Sequence, residues 1–439
     1  MSTSTQTIDV SLKDVRIATW ICFFAWTFAV YDFILFGNLL PVIGDDLGWS
    51  GSQSTLINTF VTAGTALVAF AVGPFVDRFG RRRGIIVSVV GAAVASLMTA
   101  AAGWVAGAVS LVGIVFLIAV RSLAGLGYAE QAINAAYLSE MFDHVYTDPA
   151  KARRRGFIYS LVQAGWPVGS VLAAGSIALL KPIGDWELCF IVGVFPAFFM
   201  VAGARWLKES PSFSARMAVE RERTAVPLRS MFRGAQGRMT AILCGSFLLN
   251  WFGVVAFSIL GTSLLTADDG KGISFDNALL ILIISNGTAF AGYLFHGWLG
   301  DQIGRRNTIG TGWLLAGAAF AALLAAPSGN FTVAVTLYSI GLFFLIGPFS
   351  AILLYTGESF PSQTRASGSS LVNASGQVGA VAANLLITVT LAVGGTWLTA
   401  TLWWGVIPVL ASGALIFAAR KPSGSGAHVH PPAAAAGPE

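Results

Sequence analysis

The sequence predicts an all-α polytopic membrane protein: twelve transmembrane helices in two pseudo-symmetric six-helix bundles. Three observations lead there. Only 11% of the 439 residues are charged, where a soluble chain carries about 25%. Apolar runs of roughly 20 residues, enough to cross a ~30 Å hydrocarbon layer as helices, recur from end to end. Two motifs also repeat, in the same order, in the two halves.

The predicted spans are 17–43, 52–75, 84–105, 109–141, 156–180, 186–207, 239–266, 274–299, 308–326, 331–356, 366–394 and 396–419. Polar residues precede the first span and no small-residue cleavage site follows it, so it reads as a retained helix and not a removable signal. The expected domains are a tail at 1–16, a bundle at 17–207, a linker at 208–238, a second bundle at 239–419 and a low-complexity tail at 420–439. An even number of spans puts both termini on one side.

Charge sets the expected orientation. With the N-terminus inside, 23 of the 26 Lys and Arg fall on inner segments, Lys181 and Lys271 fall on outer loops, and Arg121 lies within a span. This is a positive-inside bias, so the net charge of +5 is a topology signal and not a nucleic-acid surface. The expectation is a multi-pass protein of the cytoplasmic membrane with both termini in the cytoplasm. Cys22, Cys189 and Cys244 stand in apolar context, and the four histidines are scattered, so neither a disulfide framework nor a metal site is expected.

The first repeat joins "GPFVDRFGRRRG" (73–84) to "GWLGDQIGRRN" (297–307), sharing Gly, Asp, Gly, Arg and Arg 224 residues apart. Gly73 and Gly80, like Gly297 and Gly304, permit close packing and a sharp turn. Arg78, Arg81 and Arg82, with Arg305 and Arg306, hold the loop at the inner surface. Asp77 and Asp301 suit a gate contact with a helix N-terminus or an arginine. The second repeat joins "SLVQAGWPVGS" (160–170) to "SLVNASGQVGA" (370–380), and each follows a glutamate and an arginine: Glu140 then Arg155, Glu358 then Arg365. Gating salt bridges of Glu140 with Arg153–Arg155, and of Glu358 with Arg365, are expected at the inner face. Duplicated units of this kind characterise secondary transporters, with the substrate site between the halves.

These residues carry a family resemblance. "GPFVDRFGRRR" resembles the signature loop of the major facilitator superfamily. "RSLAGLGYAEQAINAAYLSE" (121–140) and "ESFPSQTRASG" (358–368) are similar to the fourth-helix and pre-eleventh-helix segments of its sugar porter, aromatic-acid:proton and metabolite:proton symporter branches. The resemblance runs from Tyr31 to about Gly379. It implies alternating access around a cavity lined chiefly by helices 1, 4, 7 and 10.

Two charges sit at mid-membrane. Asp32 and Arg121 each lie about eleven residues from the outer end of their span, so at ~1.5 Å per residue they share a depth and can pair. An ionisable group at that depth usually pairs or marks a pathway. Beside Arg121, Asp32 is favoured as the anion; loss of that partner favours protonation, which links proton to substrate occupancy. In the resembling branches an aspartate of helix 1 and the arginine of helix 4 carry this role. The acid that often precedes Tyr-Asp there is replaced by Ala29 and Val30. Glu130 is a further candidate for proton coupling; it lies about 180° round the helix from Arg121.

Candidate substrate contacts are Arg121, Tyr31, Asn134, Gln163, Trp166, Asn250, Asn286, Tyr355, Asn373 and Gln377, which together suit a small polar molecule with an apolar or aromatic portion. Gln377 stands where aromatic-acid symporters often have arginine. His296 reads as a packed helix-end residue. The expected function is a proton-coupled symporter importing a small organic acid, with the proton gradient as energy source, no cofactor, no enzymatic activity, and a monomer in the bilayer as the working unit. A sugar or polyol symporter is the alternative, ahead of drug efflux by proton antiport. An enzyme or receptor lacks any nucleophile–base pair, phosphate loop or soluble domain to support it.

Overall fold

In the computed structural model the described residues are 10–108, 110–145, 154–210, 231–360 and 365–420. They contain twelve helical spans long and apolar enough to cross a membrane. We number them α1 (Leu12–Leu47), α2 (Gly51–Phe79), α3 (Arg81–Ala108), α4 (Ser110–Ser122 continued by Gly125–Val145), α5 (Arg154–Gln163 and Gly165–Leu180) and α6 (Trp186–Val192 and Phe195–Gly203). The second half holds α7 (Gly234–Val254, a π-helical segment Val255–Ile259, and Gly261–Thr266), α8 (Phe275–Ile303), α9 (Arg305–Ala325), α10 (Phe331–Ile346 and Phe349–Ser359), α11 (Arg365–Ala392) and α12 (Trp397–Thr401, a π-helical segment Leu402–Val406, and Ile407–Ile416). Every expected span is present, and most helices run a few residues beyond it. At α1 and α2 polar caps, not the start of apolar sequence, set the first residue.

The caps are visible at α1 and α2. Ser11 with Asp14, and Ser50 with Gln53, form reciprocal capping boxes that satisfy the first free N–H groups. Interruptions fall where the backbone cannot continue regularly: Gly347 and Pro348 divide α10, and Pro196 follows the break in α6. Such breaks are tolerated at membrane depth only where neighbouring helices bury them.

The duplicated loop motif has a duplicated backbone. Gly80 ends α2 at φ 103°, ψ 159° and Gly304 ends α8 at φ 85°, ψ 139°, and in each case the next helix starts at the following arginine. That conformation is essentially reserved for glycine. The repeat in sequence is thus a repeat of one sharp helix–helix corner.

The halves meet along two lines. Toward the face opposite the termini, Asn58 of α2 donates to Asn384 of α11 at 2.6 Å, Asn384 donates on to Thr62 at 3.4 Å, and Thr59 and Thr388 hydroxyls meet at 3.4 Å. In α7, Thr262 donates to the Gly37 carbonyl of α1 at 3.1 Å. There Gly37 lies against the Ile259 carbonyl in the π-helical segment, with no room for a side chain. Toward the termini, Gly297 of α8 passes Ser160 of α5 and Ser350 of α10.

Candidate functional site

The charged centre lies inside the N-terminal half. One terminal nitrogen of Arg121 reaches both carboxylate oxygens of Asp32 at 3.2 Å, and the other donates to the Asp32 backbone carbonyl at 3.0 Å. The guanidinium carbon sits 5.3 Å from the ring centres of both Phe36 and Phe190. Both residues of the pair are buried. A desolvated cation against an aromatic face gains about 2 kcal/mol, so the rings help hold Arg121 in place.

Asp32 looks away from the other half. On α1, Trp26, Phe33 and Gly37 share the face that meets α5, α4 and α7, and at ~100° per residue Asp32 is turned about 120° from it. It lines a small crevice with Phe28 and Ala29, closed by Val89, Ala92 and Ala93 of α3 and by Gly193, Pro196 and Ala197 of α6. Tyr31 is likewise used within the half: its hydroxyl donates to the Cys189 carbonyl at 3.4 Å.

Between the halves stands a set of aromatic rings. Trp26, Tyr128 and Trp166 come from α1, α4 and α5; Trp251 comes from α7. Centroids are 6.1 Å apart for Trp26–Trp166, 5.9 Å for Tyr128–Trp251 and 6.2 Å for Trp166–Trp251. Phe33 joins on one side, Phe247 and Phe349 on the other. The indole N–H of Trp26, Trp166 and Trp251 and both side-chain polar atoms of Asn250 are buried without a hydrogen-bond partner, while the Tyr128 hydroxyl and the Gln377 amide lie against each other. An unmade hydrogen bond costs about 1–3 kcal/mol for each such group, so a concentration of them around one aromatic set marks a place that a polar ligand would complete.

Of the residues singled out from sequence, Trp166, Asn250 and Gln377 fall in or beside this set. Asn286 spends its amide on the Leu282 carbonyl of its own helix at 2.9 Å. Asn373 is half-buried on α11. Gln163 accepts from Gln131 at 2.9 Å and donates to the Tyr159 hydroxyl at 2.9 Å, while Asn134 donates to Glu130 at 3.0 Å. Arg121 is not part of the set, because its partners are Asp32, Phe36 and Phe190. Tyr355 is placed differently from the cavity position expected: its hydroxyl donates to the Arg420 carbonyl at 2.6 Å, at the termini-bearing end. It sits one turn from Glu358, so the helix carries it to the edge. His296 is packed, with Nδ1 2.8 Å from the Gly292 carbonyl and its ring against Phe343 and Phe344.

Among the described residues the gating glutamates have the following partners. Glu140 pairs with Arg81 at 3.5 Å and takes a hydrogen bond from Ser210; Glu209 accepts from the backbone N–H groups of Arg81 and Arg82 at 2.9 and 3.2 Å. Glu358 pairs with Arg305, which also meets Asp301 at 3.7 Å. Arg306 donates to the Phe417 and Ala419 carbonyls at 3.3 and 3.1 Å, and Arg78 lies over the Phe79 ring. The latch is therefore built from the duplicated corner itself: its first arginine reaches the glutamate that closes α4 or α10. The side chains of Asp77, Arg155 and Arg365 lie outside the described residues, and so does Arg153. Sequence reading missed Trp26, Tyr128 and Trp251, whose only signal is a tryptophan or tyrosine at mid-span in helices that the repeat places between the halves.

Comparison with known proteins agrees with this architecture. The family model described as Major Facilitator Superfamily matches residues 18–383. The chain is 25% identical over 347 residues to a probable 4-methylmuconolactone transporter of Cupriavidus pinatubonensis, covering 79% of this chain and 77% of that one. It is 24% identical over 407 residues to the niacin transporter NiaP of Acinetobacter baylyi, covering 84% and 85%. The crystal structure of a D-xylose-proton symporter superposes with a TM-score of 0.72 at 16% identity, over 93% of this chain and 99% of that one. The chain belongs to the major facilitator superfamily and is a multi-pass membrane transporter, not an enzyme.

Proposed function

We propose that the protein is a proton-coupled symporter that imports a small, ring-bearing organic acid across the cytoplasmic membrane, with both termini in the cytoplasm. The observation that carries this reading is the aromatic set shared by the two halves, with its unpartnered N–H donors. Flat faces of Trp26, Trp166 and Trp251 suit a planar ring, and the three indole N–H groups suit the acceptor oxygens of its polar edge. Relatives named for niacin, an aromatic acid, and for 4-methylmuconolactone support a ring-bearing acid over a sugar. The transporter works as a monomer, driven by the proton gradient and without a cofactor.

Coupling is assigned to the Asp32–Arg121 pair. Asp32 ionised is held by Arg121; Asp32 protonated releases the guanidinium, which keeps the Asp32 carbonyl and two rings as partners. Protonation therefore loosens α1 from α4 without stranding a bare cation. Because α1 also carries Trp26 and Phe33 to the substrate set, a change in its seating is felt there. The test is a thermal-shift screen of the purified protein with niacin, 4-methylmuconolactone and xylose at two pH values. Stabilisation by one of the first two, stronger at the lower pH, is expected; stabilisation by xylose alone would overturn the choice of substrate class.

A further inference from the structure

The two helices behind Asp32, α3 and α6, enclose between them a groove of about 430 Å³. Its walls are Val90, Val94 and Leu97 of α3 and Val194, Phe198 and Val201 of α6, at spacings of three and four residues, so each helix gives one stripe. Ala93 and Ala197 line it too and are buried, and their short side chains leave the hollow. Val94, Leu97, Phe198 and Val201 are exposed, which in a membrane-spanning helix means exposed to lipid. Ala93 and Ala197 also wall the crevice of Asp32. Whatever fills the groove therefore closes that crevice from outside.

The groove has the depth of one leaflet and a charge at one end. Gly193 lies against Ser96, so Val194 and Leu97 stand at one level. From Val194 to Arg205, which lines the termini-bearing end, is eleven residues or ~16 Å. That is about half of the ~30 Å hydrocarbon layer. Arg205 is exposed. Its Nε donates to the Ala202 carbonyl at 2.8 Å and its guanidinium carbon lies 5.6 Å from the Trp206 ring centre. Its two terminal nitrogens have no partner among the described residues. Lys208, three residues on, instead pairs with Asp14 at 2.8 Å. Trp206 is exposed, and tryptophan concentrates at the polar boundary of a bilayer.

A phospholipid has the matching chemistry. Its acyl chain suits the apolar hollow, and its phosphate accepts from the guanidinium N–H groups in the fork geometry that arginine presents. A basic site between membrane helices favours a headgroup of net negative charge over a zwitterionic one. We propose that the α3–α6 groove binds an anionic phospholipid of the leaflet on the termini side, with one acyl chain between Val94 and Phe198 and the phosphate on Arg205.

The experiment titrates the purified full-length protein in detergent with phosphatidylglycerol, with phosphatidylcholine of the same chains, and with glycerol phosphate. Retained lipid is read by native mass spectrometry, and stabilisation by melting temperature. Wild type should retain phosphatidylglycerol in preference to phosphatidylcholine and melt higher with it. Arg205→Ala should lose about fivefold of that preference, the worth of ~1 kcal/mol for a basic residue at the surface. Arg233→Ala removes an exposed cation from the other half and should keep it. Val94→Trp, which puts a ring in the hollow, should reduce retention of both lipids, and Leu97→Trp does the same should Val94→Trp fail to fold. Val115→Trp, at an exposed position on α4, should not. Equal losses in Arg205→Ala and Arg233→Ala would reduce the effect to diffuse attraction. Retention unchanged in the groove-filling variants would remove the groove, and stabilisation by glycerol phosphate equal to that by phosphatidylglycerol would leave a phosphate site without a chain. Each of these, like retention of neither lipid by wild type, would overturn the proposal.

Discussion

Arg121 holds Asp32 twice over, through both carboxylate oxygens at 3.2 Å and through its backbone carbonyl at 3.0 Å, between the rings of Phe36 and Phe190. The carboxylate contacts can be released by a proton and the carbonyl contact cannot. That asymmetry leads to the first expectation. Asp32→Asn should support exchange of substrate across the membrane within a few-fold of wild type while abolishing accumulation above equilibrium. Arg121→Ala is a different lesion: leaving a buried charge without its partner costs about 3–5 kcal/mol, so a large fall in melting temperature should accompany loss of transport. Asp32→Asn should melt far closer to wild type.

The unpartnered indoles allow ring and hydrogen bond to be separated. Trp251→Phe keeps an aromatic face against Tyr128 and Trp166 but removes the N–H. Substrate affinity measured by thermal shift or calorimetry should fall about tenfold, the worth of a hydrogen bond of ~1.4 kcal/mol. Trp251→Ala should lose the stacking as well and fall further. Equal affinity in Trp251→Phe and wild type would remove that N–H from the site.

The amide zipper of Asn58, Asn384 and Thr62 closes the face opposite the termini. Interhelical hydrogen bonds in membranes average about 0.6 kcal/mol and reach ~1.7, so Asn384→Leu, which breaks two of them, should shift the balance toward opening at that face by at least about 7-fold, and by up to a few hundred-fold. Distances between spin labels on the ends of α2 and α11 would report it. An unchanged distance distribution would show that the zipper carries no gate energy.

The repeated corner makes a stability prediction. At Gly304 the backbone has φ 85°, ψ 139°, so Gly304→Ala should cost about 1–3 kcal/mol from strain alone and weaken the Arg305–Glu358 latch that starts at the next residue. Melting temperature and cysteine accessibility at the termini-bearing face should both move. Gly287→Ala, at a helical position with open space around it, should move neither.

What could be read from the sequence depended on how local the signal was. Spans were legible because each is a continuous apolar run, and the superfamily was legible because its corner motif is written twice, each copy within a dozen residues. Equal depth allowed Asp32 and Arg121 to meet, and the structure contains that contact. The contacts of Glu140 with Arg81 and of Glu358 with Arg305 were not legible, because these arginines reach the glutamates from the corners of neighbouring helix pairs. The aromatic set was hidden for a similar reason. A single tryptophan in an apolar helix has no periodic signature, and Trp26, Tyr128, Trp166 and Trp251 converge only when the two halves are placed face to face.

The central claim is that proton entry at Asp32 drives uptake of a ring-bearing acid. It is tested most directly in proteoliposomes given an inward proton gradient, following radiolabelled niacin, or 4-methylmuconolactone if that is the stabilising ligand, in wild type and Asp32→Asn. Accumulation above the outside concentration in wild type, collapsed by a protonophore, with the variant reaching only equilibrium, is the predicted result. Accumulation indifferent to the protonophore, or undiminished in Asp32→Asn, would contradict it.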